Sequence, residues 1–190
     1  KMVAEAKKEG LPVTAEVCPH HFILTTEDIP EDDGNYKMNP PLRSREDVEA
    51  LKEGLRNNIM DVIATDHAPH SAEEKNKSMK DAMFGIVGLE TSAALTYTEL
   101  VDKGILTPMQ MAEKMSYNPA RILGIAGEKG SVSEGMIADI VIFDPKREYR
   151  IDKNTFLSKG KNTPFDNYAV KGDVRYTFVG GKMVYENTAY

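Results

Sequence analysis

One acidic residue and two histidines fall within five positions in Ile63-Ala64-Thr65-Asp66-His67-Ala68-Pro69-His70. The apolar run before Asp66 reads as a buried strand. Asp66 therefore stands at a strand's C-terminal end, where barrel enzymes place their catalytic groups. A carboxylate there can ligate a metal ion and also accept a proton from metal-bound water, and water needs both kinds of help to attack an amide. The two histidines offer further ligands or hydrogen-bond donors. The same spacing also suits an Asp66 that caps a following helix, with the histidines in an ordinary loop; spacing alone leaves both readings open.

Three other segments carry polar groups of interest. Cys18-Pro19-His20-His21 invites a zinc reading, because thiol and imidazole are zinc's preferred ligands. On an extended segment, however, neighbouring side chains point to opposite faces, so His20 and His21 are expected not to share one ion. In Lys37-Met38-Asn39-Pro40-Pro41-Leu42-Arg43 two prolines hold the backbone extended after Asn39. The Asn39 amide can then meet a polar ligand, or simply serve a turn. In Met83-Phe84-Gly85 the glycine would let backbone approach a ligand closely.

The elements that must position these groups alternate between strand and helix. Residues 1–9 read as the tail of a helix stopped by Gly10. Residues 11–17 form a β-rich run, and residues 18–43 an irregular loop. Ser44 caps a helix in a capping-box arrangement with Asp47, and Val48, Leu51 and Leu55 form its apolar face. Residues 58–64 read as a strand, 71–85 as a polar loop, and about 87–102 as a helix. Thr107-Pro108 opens the next helix with Gln110 completing its cap, and Asn118-Pro119 opens a third. Beyond Gly124 the pattern becomes strands and turns: residues 138–143, then 174–179 and 182–186, the last two flanking Gly180-Gly181 as a hairpin. This is an α/β pattern. A closed (β/α)8 barrel takes about 250 residues and eight strands, so the strand–helix units present predict part of a larger α/β fold.

Composition excludes several classes. Of 190 residues, 41% are hydrophobic and 28% charged, with a net charge of −6. Scattered charge of that sign argues against nucleic acid as a partner. No apolar run approaches the roughly 20 residues that span a bilayer, and no signal peptide is recognisable at the start. Cys18 is the sole cysteine, which rules out an internal disulfide and makes a cytoplasmic location the expectation. The opening residues read as the inside of an element, which predicts a piece of a longer protein.

Taken in order, these segments resemble the dihydroorotases, a branch of the cyclic amidohydrolases. The resemblance rests on Glu16-Val17-Cys18-Pro19-His20-His21, the Asn39-Pro40-Pro41-Leu42-Arg43 run, Thr65-Asp66-His67-Ala68-Pro69-His70, Phe84-Gly85, Gly88-Leu89-Glu90-Thr91 and Asn118-Pro119-Ala120-Arg121. Residues 135–144 are similar to the C-terminal strand region of many cyclic amidohydrolases. The resemblance implies the last strands and helices of an amidohydrolase (β/α)8 TIM barrel over residues 1–125, followed by C-terminal strands of a small flanking β-sandwich over 126–190. It implies zinc-dependent, reversible hydrolysis of the cyclic amide of dihydroorotate to N-carbamoyl-aspartate, in pyrimidine biosynthesis. Asp66 would be metal ligand and general acid/base, Asn39 and His70 would bind substrate, and Phe84 and Gly85 would offer backbone groups to the ring. His20 and His21 match no metal ligand of the family.

The sequence departs from the family at the metal. The family's His-x-His pair, its bridging carboxylate and its further metal histidines precede the region matched here. One carboxylate does not hold a catalytic zinc, which normally takes three protein ligands. This chain alone is therefore expected to be inactive and to hold zinc weakly or not at all. Exposed strand edges would favour self-association or association with a missing N-terminal half. Two other readings compete: a hydantoinase or allantoinase, and a catalytically silent dihydroorotase-like scaffold partner.

Overall fold

The computed structural model describes residues 1–188. The chain separates into two compact units that interleave in sequence, Lys1–Ser92 with Arg150–Val170, and Ala93–Tyr149 with the stretch from Lys171 onward.

The first unit is built around two short parallel strands, β1 (Glu16–Val17) and β2 (Val62–Ile63), in the register Glu16↔Val62 and Val17↔Ile63. Helix α1 (Met2–Lys8) precedes β1, and Gly10 follows it at φ 76°. Lys7 Nζ reaches Asp61 at 2.7 Å and the Ile59 carbonyl at 2.9 Å, while Asp61 accepts from Ala15 N at 2.9 Å. One carboxylate thus ties α1 and the approach to β1 to the start of β2. Both strands are shorter than the sequence suggests. Val13 N closes a local turn onto Leu11 O, and Asn58 turns left-handed at φ 56° while Ile59 and Met60 return their N–H groups to Gly54 O. Those residues finish a helix instead of joining the sheet.

That helix is α3 (Arg45–Arg56). Ser44 Oγ accepts from Asp47 N and Asp47 Oδ2 accepts from Ser44 N, each at 3.2 Å, which is the expected capping box. Val48 and Leu55 are fully buried beside Phe22 and Ile63 in the core. Each such side chain contributes about 1.5–3 kcal/mol through burial. Residues 18–43 are more ordered than a loop. Pro19 occupies the first position of helix α2 (Pro19–Ile23), whose Phe22 and Ile23 are buried, and 3-10 turns follow at Thr26–Asp28 and Gly34–Tyr36. The polar stretch 71–85 likewise contains α4 (Ala72–Lys75), capped reciprocally by Ser71 and Glu74.

In the second unit, α5 (Ser92–Thr96) continues into a π turn over Tyr97–Val101. It starts later than the pattern predicts, and Val87 N donates to Asn162 O ahead of it. Helix α6 (Pro108–Ala112) opens on the expected Thr107/Gln110 box. It runs through a second π turn, Glu113–Tyr117, into α7 (Asn118–Ile122). Asn118-Pro119 therefore opens no new helix: Asn118 is itself helical at φ −63°, ψ −45°. The wider i→i+5 turn carries the chain onto a residue that has no N–H to give. Strands β3 (Ile140–Arg150), β4 (Ala169–Val179) and β5 (Lys182–Glu186) form a sheet in the order β3-β4-β5. The hairpin between β4 and β5 is antiparallel, pairing Val179 with Lys182 across Gly180 and Gly181, both at positive φ as a tight twisted turn requires. Val141, Ile142, Met183 and Val184 on this sheet are exposed.

Candidate active site at the end of β2

Strand β2 ends at Ile63, and the chain reverses at Asp66, whose backbone is left-handed (φ 48°). Asp is one of the few residues that tolerates this region. The reversal leaves Asp66 exposed and brings His67 beside Ile86, where Ala68 N donates to Ile86 O at 2.8 Å. His67 Nδ1 accepts from Gly88 N at 3.1 Å and Leu89 N at 3.3 Å. In its neutral form the ring therefore carries its proton on Nε2.

The next turn is built around Asn162, a buried side chain 92 residues further along. Its Oδ1 accepts from His70 N at 2.9 Å, and its Nδ2 donates to Ala68 O at 3.0 Å and Gly85 O at 3.1 Å. His70 Nε2 lies 2.9 Å from Phe84 O, so it donates there, leaving Nδ1 facing Glu74 at 3.7 Å. Gly85 takes φ 113°, and a Cβ on it would lie 2.4 Å from the Ala68 Cβ. Only glycine fits there.

Lys75 locks these loops together. Only 2% exposed, its Nζ donates to Gly85 O at 2.8 Å, Met83 O at 2.9 Å and Lys37 O at 3.3 Å. Gly85 N donates in turn to Lys37 O at 3.0 Å. Burial pushes the Lys75 ammonium down to about 8. Phe84 stands exposed with the Lys37 ammonium 4.5 Å from its ring centre. Asn39 is exposed two residues beyond Lys37.

Of the residues singled out in the sequence, His70, Phe84 and Gly85 thus form one hydrogen-bonded cluster. Asp66 and Asn39 are exposed, each two residues along the chain from a residue bonded into it, Ala68 and Lys37. Two residues that hold the site were not singled out. Asn162 lies too far away in sequence for any local signal, and Lys75 looks like a solvent lysine in a polar run; His67, expected as a ligand or donor, accepts through Nδ1 from Gly88 N and Leu89 N.

Asp66 offers a metal one carboxylate, which alone does not fit a zinc ion. Among the described residues, the group with three ligand atoms gathered together, all within 4.8 Å, is Cys18, His20 and His21. Burial, with help from the Asp66 and Glu16 carboxylates, pushes the Cys18 thiol up to about 12, and burial pushes His20 down to about 3. The extended geometry expected for this segment is not what forms: Cys18 caps α2, and the two imidazole centres lie 4.1 Å apart on its first turn.

The profile of the amidohydrolase family matches residues 1–184. The chain belongs to the amidohydrolase family. It is 52% identical over 186 residues to dihydroorotase of Bacillus cytotoxicus, covering 98% of this chain and 43% of that protein. Dihydroorotase of Bacillus licheniformis is 53% identical over 186 residues with the same coverage. Among solved structures, the L-hydantoinase (dihydropyrimidinase) from Arthrobacter aurescens superposes with a TM-score of 0.91 at 36% identity, over 97% of this chain and 42% of that one. The resemblance to dihydroorotases read from the motifs is borne out, and the fold is the α/β amidohydrolase fold. This amidohydrolase chain spans less than half the length of the curated relatives it matches. Among its described residues, no helix is long and apolar enough to cross a membrane.

Proposed function

We propose that this chain is the C-terminal portion of a dihydroorotase, a cytoplasmic enzyme that interconverts dihydroorotate and N-carbamoyl-aspartate. The observation that carries the reading is the placement of Asp66 just past the end of a parallel strand and four residues before the His70 of a His70–Phe84–Gly85 cluster, in a chain 52% identical to a dihydroorotase. Strands β1 and β2 would be the last strands of a (β/α)8 barrel within residues 1–125. Strands β3 to β5, within 126–190, would belong to a small β-sandwich, a reading supported by their exposed Val141, Ile142, Met183 and Val184.

In this reading Asp66 takes the proton of the attacking water and returns it to the departing ring nitrogen. The Phe84 and Gly85 backbone, held by Lys75, Asn162 and His70, borders the ring, and Asn39 binds the substrate's polar edge. Zinc, when bound in the longer protein, would polarise the carbonyl and activate the water. Its remaining ligands would come from the part of the relatives' length that this chain does not span, so the chain by itself would be inactive. That missing part, or a second copy, is the partner that the exposed strand residues would meet.

The solved structures that superpose on the chain include hydantoinases, which makes ring specificity the deciding test. The longer protein carrying this chain should be assayed against dihydroorotate, hydantoin and allantoin. We expect kcat/KM for dihydroorotate to exceed the others by at least about 100-fold, since a site built to pair a substrate's polar group rejects analogues lacking it by large factors. Preferential opening of hydantoin or allantoin would replace this reading. Failure to open any of them, with correct folding, would favour a silent scaffold.

A further inference from the structure

Cys18, His20 and His21 project from the start of α2, and their ligand atoms all lie within 4.8 Å of one another. A tetrahedral zinc ion holds such atoms about 3.3–3.7 Å apart, so small side-chain rotations would close the set. Two further observations point to a cation there. His20 is 2% exposed and its Nε2 has no hydrogen-bond partner, a cost that a coordinated ion would cancel. His21 Nε2 lies 2.7 Å from the Pro40 carbonyl. Donating there, it leaves Nδ1 with a lone pair and holds the ring as an outer carbonyl holds a metal-bound histidine.

We propose that Cys18, His20 and His21 form a binding site for a thiophilic divalent cation of the zinc class, separate from the Asp66 site. Cys18 releases its proton to solvent on binding and ligates as thiolate; the two neutral imidazoles complete a three-ligand set. His21 is the less buried histidine, so the fourth position opens on its side to water or an external ligand. The site belongs to this chain alone and revises the expectation that the chain holds zinc weakly.

Cobalt(II) titration of the purified chain tests the proposal, because a thiolate–cobalt bond gives a near-ultraviolet charge-transfer band that nitrogen and oxygen ligands do not. The expected result is saturation at one cobalt per chain, displacement of the band by zinc, and a zinc-induced rise in melting temperature. The band should disappear in Cys18→Ser, weaken at least tenfold in cobalt affinity in His20→Asn, and persist in Asp66→Asn. Absence of the band in the wild-type chain at excess cobalt would overturn the proposal without reference to any variant. Its loss in Asp66→Asn would overturn it by moving the ion to Asp66. The outcome is independent of which cyclic amide the longer protein opens.

Discussion

Replacing Asp66 by Asn in the longer protein that carries this chain is expected to lower dihydroorotate turnover by about 1,000-fold, within the range that positioned general acid–base groups contribute. Asn is nearly isosteric with Asp and is also at home at positive φ, so the reversal at φ 48° should survive. What it loses is the ability to accept and return a proton. The loss should fall on kcat, with an unchanged circular dichroism spectrum and melting temperature serving as the control for folding. A kcat within tenfold of wild type would remove Asp66 from the proton-transfer role.

The second large effect concerns Lys75, which touches no substrate in this account. Lys75→Met keeps the stem's volume and removes the donor shared by the Lys37, Met83 and Gly85 carbonyls. Lys37 O and Gly85 O keep Gly85 N and Asn162 Nδ2 as donors, so the heaviest loss falls on Met83 O. Bonds to a charged donor are worth about 1.5–3 kcal/mol each, and relief from burying the charge offsets part of their loss. A net destabilisation of about 2–3 kcal/mol is expected, read as a shift in urea midpoint at constant slope. A change below about 0.5 kcal/mol, the usual range for an ordinary surface substitution, would show that Lys75 clamps nothing.

Lys75 also has a pH signature. Its folded value of about 8 lies below the ordinary 10.5. Between those values the folded chain binds fewer protons than the unfolded chain, so stability rises with pH across that window. The wild-type advantage over Lys75→Met should therefore be smallest below pH 8 and grow toward pH 10.5. Cys18 titrates identically in both proteins and cancels from the difference.

What could be read in the sequence was what short range decides. The Ser44/Asp47 and Thr107/Gln110 boxes, the Gly10 stop and the Gly180-Gly181 hairpin each depend on a few adjacent residues, and each is found. Strand lengths were overestimated because β-rich composition does not reveal that Asn58–Met60 bends back to Gly54. The assumption of extended geometry at Cys18–His21 failed because Pro19 starts a helix there, which puts both imidazoles on one turn. The motif residues of the candidate site were legible. The Asn162 and Lys75 side chains that hold them were not, because their bonds span 92 residues to His70 and 38 to Lys37, and such pairings leave no trace in local pattern.

Zinc-dependent catalysis through Asp66 is tested most directly by dihydroorotate ring opening by the longer protein before chelation, after chelation, and after zinc is restored. Activity is expected to vanish with the metal and return with zinc, and the Asp66→Asn protein is expected to stay silent throughout. Ring opening that persists through complete metal removal would contradict it.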